Sequence, residues 1–218
     1  MNHFGVPEAL LLATGLQWTI LLTLTGFVGG ALGGVAVALC RVSPLAPLRM
    51  ATAGFIEVFR GTPLLLQLFV VFYGLSVIGF SLGAWASVAI CMTLHASAFL
   101  GEIWRGSIQA LPAGQSEAAR ALGLHYLPRM RDVVLPQALK ISLPATVGFL
   151  VQLLKGTSLA SIVGFAELMR SGAIVANATF NPLFVYSVVA ALYFALCWPL
   201  SLYGRRMEKR LAGAQRSA

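Results

Sequence analysis

The sequence predicts an all-α integral membrane protein with five membrane-spanning helices. Composition, long charge-free stretches and the placement of the basic residues carry that prediction. Of 218 residues, 58% are hydrophobic and 10% are charged. Soluble proteins hold roughly 45–50% apolar and about 25% charged residues. Fifteen Lys and Arg with seven Asp and Glu cannot coat a water-facing surface of this size. Disorder is excluded, because disordered chains are poor in apolar residues. The net charge of +8 lies in short segments between apolar runs. That pattern sets membrane topology and does not form a nucleic-acid-binding face.

The spans follow in order. No charged residue occurs from Ala9 to Cys40, from Gly61 to Gly101, or from Ser171 to Gly204. About 20 apolar residues cross the hydrocarbon core as a helix. The first stretch gives one span, about 16–40. Its apolar run is too long for a secretory signal and no Lys or Arg precedes it. The second stretch exceeds one span and breaks near Gly79, Ser81 and Gly83, giving spans at about 63–78 and 83–102. Leu135–Leu154 gives a fourth span with Lys140 near its end, where a long side chain can reach the interface. The last stretch gives a fifth, about 182–203. One domain over 1–218 accommodates them.

Orientation follows from the loops. None of the residues before the first span is Lys or Arg, nor is any in the turn between spans two and three. Arg41 and Arg49 follow the first span. Arg105, Arg120, Arg129 and Arg131 lie between spans three and four. Arg205, Arg206, Lys209, Arg210 and Arg216 form the tail. Lys155 and Arg170 lie between spans four and five, so the alternation is nearly clean; it places the N-terminus outside and the C-terminus in the cytoplasm, as five spans require.

Within the spans, Gly26, Gly29, Gly30, Gly33 and Gly34 make a face that lets another backbone approach closely. It suits packing within the subunit or an interface between subunits. Three acid–base pairs recur three residues apart: Glu57–Arg60, Glu102–Arg105 and Glu167–Arg170. On a helix each shares one face. They suit helix ends at the interface or a polar path. Cys40, Cys91 and Cys197 have no metal-type spacing and read as small apolar residues. His95 stands alone in the middle of a span, either as a packing residue or as part of a polar path. No phosphate loop of the G-x-x-x-x-G-K-[ST] type, no H-E-x-x-H and no C-x-x-C occurs. Catalytic and metal-ligating residues are therefore expected to be absent, and any nucleotide chemistry must come from a partner.

Residues 111–136 are more ordered than a connector needs to be, since typical connections are about 2–6 residues. Pro112 to Ser116 reads as a turn with Ser116 as N-cap. A short helix follows, with Glu117 in its first turn and Gly123 at its C-cap. Tyr126-Leu127-Pro128 starts a second piece that leads through Leu135 and Pro136 into the fourth span.

Glu117-Ala118-Ala119, three residues, Gly123, nine residues, then Val133-x-Leu135-Pro136 resembles the EAA loop of ATP-binding-cassette (ABC) importer permeases. Val133 stands where that pattern has Ile. Phe59-Arg60-Gly61-Thr62-Pro63, Gly101-Glu102-Ile103-Trp104-Arg105-Gly106, Leu111-Pro112-Ala113-Gly114-Gln115 and Lys155-Gly156-Thr157-Ser158-Leu159 resemble the polar amino acid branch, of the histidine/glutamine/glutamate type. Gly156 and His95 depart from that branch.

The resemblance implies a type I ABC importer permease fold in a bacterial plasma (inner) membrane, with the loop helix as a coupling helix. Glu117, Ala118, Ala119, Gly123, Leu135 and Pro136 would engage the ATPase. The implied partners are ATP-binding-cassette subunits, an extracytoplasmic solute-binding protein, and a second permease that is either a copy or a paralogue. ATP and magnesium would sit on the partner, with no cofactor on this chain. A polar amino acid would pass beside Arg60, His95, Gln152, Lys155, Thr157, Ser158 and Glu167, with Lys155 and Glu167 as contacts for its two charges. Phe165–Ala178 would lie outside the membrane core. A secondary transporter, a channel or a non-transporting scaffold is the competing class. Five spans do not divide into the two equal halves common in secondary transporters.

Overall fold

A computed structural model describes residues 4–216, with side chains through Leu211. Arg216, counted in the basic tail, has its side chain outside the described residues. Among the described residues, ten α-helices follow one another: α1 Val6–Val42, α2 Ala46–Gly61, α3 Leu64–Phe69, α4 Leu75–Val77, α5 Ala84–Gln109, α6 Ala113–Ala121, α7 Tyr126–Pro128, α8 Leu135–Gly156, α9 Leu168–Thr179 and α10 Pro182–Arg216. Two π-helical segments, Val70–Gly74 and Arg129–Val134, join α3 to α4 and α7 to α8. A 3-10 segment, Thr157–Val163, extends α8.

Among the described residues, four helical stretches are long and apolar enough to cross a membrane: Val6–Val42, Ala84–Gln109, Tyr126–Val163 and Pro182–Leu211. A fifth span exists if α2 with Leu64–Val77 counts as one bent element, turned by 106°. The helices are longer than the charge-free stretches suggest. α1 starts at Val6 because Pro7 fits the first turn and the Gly5 N–H donates to the Glu8 carboxylate at 2.9 Å. α5 runs on to Gln109 and α10 to Arg216. The break at Gly79 is present, with φ of +92°, a conformation that suits a residue lacking Cβ.

α2 occupies a region expected to be loop. Arg49, Glu57 and Arg60 interrupt its apolar pattern, so no charge-free stretch marks it. It folds because it is amphipathic: Ile56 is buried while Glu57 and Arg60 face out.

The glycine face of α1 is spent inside the subunit. α1 and α5 run parallel, with Gly26 against Met92, Gly30 against Ala96 and Gly34 against Leu100. A Cβ on Gly26 would meet the Met92 Cβ at 2.9 Å, one on Gly34 the Leu100 Cβ at 3.0 Å, and one on Gly30 would collide with Ala96. Leu22, Leu68, Val88, Met92, Leu100, Phe149 and Leu153 form the main core beside this seam. A second core, Leu12, Leu168, Val175, Val185 and Val189, joins α1, α9 and α10. Leu24, Val28 and Leu32 stay exposed on α1, as a hydrocarbon-facing helix requires. Cys91 and Cys197 are buried, Cys40 is half-buried, and all three are free thiols.

Candidate functional site

The site begins with a broken helix. Inside a helix the Phe59 carbonyl would accept from the N–H four residues on, but that residue is Pro63, which has none. α2 therefore stops at Thr62 and the chain bends. The freed carbonyls need donors, since unsatisfied backbone is costly away from water. Gln67, buried on the first turn after the bend, supplies them. Its Nε2 donates to the Phe59 carbonyl at 2.7 Å and to the Thr62 carbonyl at 3.0 Å. The Thr62 hydroxyl, which itself donates to the Val58 carbonyl at 2.7 Å, lies 2.9 Å from the same nitrogen. The Gln67 Oε1 is then turned toward α5, 3.0 Å from Nδ1 of His95.

His95 packs in an aromatic stack. Its ring lies 4.5 Å from Phe99, and Phe99 stacks on Phe149 at 5.2 Å. His95 and Phe99 form one wall of a cavity of about 310 Å³, also lined by Arg60, Thr62, Pro63, Leu64, Gln152, Leu153 and Gly156. The Arg60 guanidinium lies 5.6 Å from the Phe99 centroid, within reach of the negative ring face. A second cavity of about 310 Å³ shares Arg60 and Phe99 and adds Glu102.

Glu102 is held by Arg105, whose Nε donates to it at 2.7 Å, and by Arg60 at 3.7 Å. Of the three expected acid–base pairs, only Glu102–Arg105 forms an ion pair. Arg60 turns to Glu102 and leaves Glu57 exposed. Glu167 takes the backbone N–H of Arg170 at 2.9 Å and not its guanidinium.

The seven expected path residues thus separate into three groups. Arg60, His95 and Gln152 meet in one cavity. Lys155 and Ser158 line another opening of about 530 Å³, with Met169, Tyr186 and Tyr193. Thr157 and Glu167 are fully buried. The Thr157 hydroxyl donates to the Leu154 carbonyl at 2.7 Å. Glu167 caps α9 through the N–H groups of Met169 and Arg170, and accepts from Tyr193 at 2.7 Å and Thr19 at 3.4 Å. Lys155 and Glu167 therefore do not face one another as contacts for a zwitterion. Sequence reasoning missed Gln67 and Phe99. A glutamine four residues after a helix-breaking proline, in an otherwise apolar run, was the one signal that could have found the first.

The loop helix forms, with a different start. α6 begins at Ala113 with Pro112 as its N-cap, so Ser116 lies inside the helix and Glu117 in its second turn. The end is as the glycine foretold. Gly123 has φ of +79°, its N–H donates to the Arg120 carbonyl at 2.9 Å, and the Leu124 N–H donates to that of Ala119 at 3.1 Å. This is the paired closure of a Schellman turn. Glu117, Ala118 and Gly123 are exposed, whereas Ala119 is buried within the subunit and offers no outer face. Leu135 is half-buried and Pro136 exposed. Leu122 and Leu127, 81% and 76% exposed, flank the turn as apolar side chains that no sequence pattern singles out.

A family model described as "Binding-protein-dependent transport system inner membrane component" matches residues 29–213. The chain is 33% identical over 198 residues to the "Probable amino-acid ABC transporter permease protein YckA" of Bacillus subtilis (strain 168), covering 91% of this chain and 88% of that one. It is 32% identical over 207 residues to the "Arginine transport system permease protein ArtQ" of the same organism, covering 94% of each. A solved chain described as "Crystal structure of an amino acid ABC transporter with histidines" superposes with a TM-score of 0.89 at 35% identity, covering 96% of this chain and all of that one.

Proposed function

Because the chain belongs to the family of binding-protein-dependent transport system inner membrane components, we propose that it is the permease subunit of an ATP-driven importer of polar L-amino acids. The observation that carries the coupling is the exposed helix α6, closed by Gly123 and flanked by Leu122 and Leu127. Two large exposed apolar side chains flanking the polar turn after α6 suit burial in a partner's cleft. That partner is an ATPase pair, which supplies ATP and magnesium; this chain is non-catalytic and carries no cofactor. Glu117, Ala118 and Gly123 form the contact with Leu122 and Leu127, the buried Ala119 lies on the inner side of α6, which packs on the segment Arg129–Val134, and Leu135 and Pro136 open α8 directly after that segment.

Closure of the ATPases drags the seated helices and biases the permease between two states. A second permease, copy or paralogue, completes the path, and an extracytoplasmic solute-binding protein delivers the cargo. The N-terminus lies outside and the basic C-terminus in the cytoplasm of a bacterial inner membrane. Cargo passes the Arg60–His95–Gln152 cavity, with Lys155 and Ser158 on a separate opening beside it. Thr157 and Glu167 are scaffold.

The test is co-purification of the tagged chain with its encoded neighbours. A stoichiometric ATPase is expected with the wild type and is lost in Leu122→Asp. Gly123→Arg, which puts a bulky side chain on an open left-handed position, is expected to abolish ATP-coupled uptake while leaving membrane insertion intact. A complex that forms and transports normally in both variants overturns the assignment.

A further inference from the structure

The hydrogen-bond chain through the bend fixes the state of His95. Two backbone carbonyls face one end of the Gln67 amide. Carbonyl oxygens only accept, so that end is the NH2 group. The other end is then the oxygen, and it too only accepts. Nδ1 of His95, 3.0 Å away, must carry the proton. The ring makes no ion pair with any described carboxylate, and Arg60 lines the same cavity; the imidazole is neutral. In a neutral ring with Nδ1 protonated, Nε2 is a bare acceptor. Nε2 has no partner among the described residues, and it is not one of the sealed, unpartnered polar atoms. Its accessible edge opens on the cavity that His95 lines.

Three groups therefore face one space with unspent capacity. Arg60, met by Glu102 only at 3.7 Å, presents a partly answered cation, His95 a lone pair, and Gln152, free of side-chain hydrogen bonds among the described residues, an amide. No carboxylate lines this cavity among the described residues. Gly156 brings neither charge nor bulk to the wall, and a Cβ there would meet Leu64 at 3.0 Å.

We propose that Gln67 is a positioning residue that holds His95 with Nε2 unprotonated, and that this nitrogen accepts the cargo's ammonium group while Arg60 takes its carboxylate. The inference rests on this cavity being part of the cargo path. Its consequence is a substrate class: neutral or acidic α-amino acids are held, and a cationic side chain finds no counter-charge in the cavity.

Two measurements on the purified permease–ATPase complex test it. In protein labelled with 15N-histidine, the His95 resonances are identified by their loss in His95→Phe. They should report a protonated Nδ1 and a bare Nε2, and should shift toward the Nε2–H form in Gln67→Met. Direct binding of radiolabelled L-glutamine should fall at least tenfold in His95→Phe, which keeps the aromatic stack, and in Gln67→Met. L-arginine should bind the wild type at least tenfold more weakly than L-glutamine. A protonated Nε2 in the wild type overturns the proposal, as does unchanged glutamine binding in His95→Phe. Loss of the ATPase partner from the wild-type complex would instead overturn the importer reading, and the tautomer measurement stands apart from it.

Discussion

Among the described residues, the buried polar clusters around Glu167 and around His95 are built to opposite rules. Around Glu167 the carboxylate and the hydroxyls that meet it are answered, and only the Ser171 hydroxyl nearby lacks a partner among the described residues. The carboxylate accepts from Met169, Arg170, Thr19 and Tyr193, and the Thr19 hydroxyl also accepts the Leu168 N–H at 3.2 Å. The cluster ties α1, α9 and α10 together and leaves nothing for a ligand. Around His95 the scaffold side is equally closed, through Gln67 and the carbonyls of the bend, but the cavity side is open. Arg60, Gln152 and His95 line that cavity, and neither Nε2 of His95 nor the Gln152 amide has a partner among the described residues. Buried polar groups are ordinarily satisfied, so the cluster that is only half satisfied is the one with work left to do. Charge and spacing in the sequence do not distinguish the two; hydrogen-bond accounting does.

The largest effect should come from breaking the closed cluster. Glu167→Ala orphans two backbone N–H groups and two hydroxyls at once. Loss of a cap costs about 0.5–2 kcal/mol, and each buried unsatisfied group about 1–3 kcal/mol. A fall of at least roughly 3 kcal/mol in stability is expected. It would be read as a marked drop in Tm of the purified complex or as loss of folded protein. A Tm equal to wild type would show that the cluster does not hold the helices together.

The glycine seam of α1 comes next. Gly30→Val drives a branched side chain into Ala96 of α5. Overpacking of this kind costs typically about 1–3 kcal/mol, checked by the same melting measurement. Gly54 is the control, because a Cβ added there would meet no atom within 4 Å. Gly54→Ala should leave Tm unchanged or raise it, since alanine favours the helix by roughly 0.8–1.0 kcal/mol.

The open cluster should respond the other way round. Arg60 is about half exposed and its one acidic neighbour, Glu102, keeps its tighter partner Arg105. Arg60→Met is expected to change stability by no more than about 0.5 kcal/mol, while amino acid uptake in proteoliposomes falls at least tenfold. A large loss of Tm with proportionate loss of uptake would make Arg60 a scaffold residue like Glu167.

Much of this was legible in the sequence, and the failures have a common cause. Charge-free length located α1, α5 and α10, three of the helices long and apolar enough to cross, because a charge at membrane depth is costly. It could not find α2, whose charges sit on one face while Ile56 packs inward. Spacing along the chain found the glycine that ends α6, because a left-handed cap is a local requirement. It misassigned Ser116, because Pro112 starts the helix earlier. Residues at helical spacing were paired as Glu57–Arg60 and Glu167–Arg170, yet the partners that formed lie on other helices or on the backbone. Gln67 and His95, 28 residues apart, meet only because a proline breaks one helix, and no linear pattern records that meeting.

The smallest effect is expected at Lys155, and it sharpens the boundary of the path. The residue is exposed at the C-terminal turn of α8, on an opening that contains neither Arg60 nor His95. A cation there gains about 0.3–1 kcal/mol from the helix dipole, so Lys155→Ala should lower stability by no more than that. Its effect on uptake separates two arrangements. If cargo is held only between Arg60 and His95, uptake in Lys155→Ala falls by less than threefold. Glu167 is sealed behind Tyr193 and Thr19, and Lys155 has no opposite charge beside it, among the described residues, with which to hold a zwitterion; the small effect is the expected one. A tenfold loss with Tm unchanged would extend the path to the opening beside Tyr193 and Tyr186, and the cavity at the bend would then be one station on it.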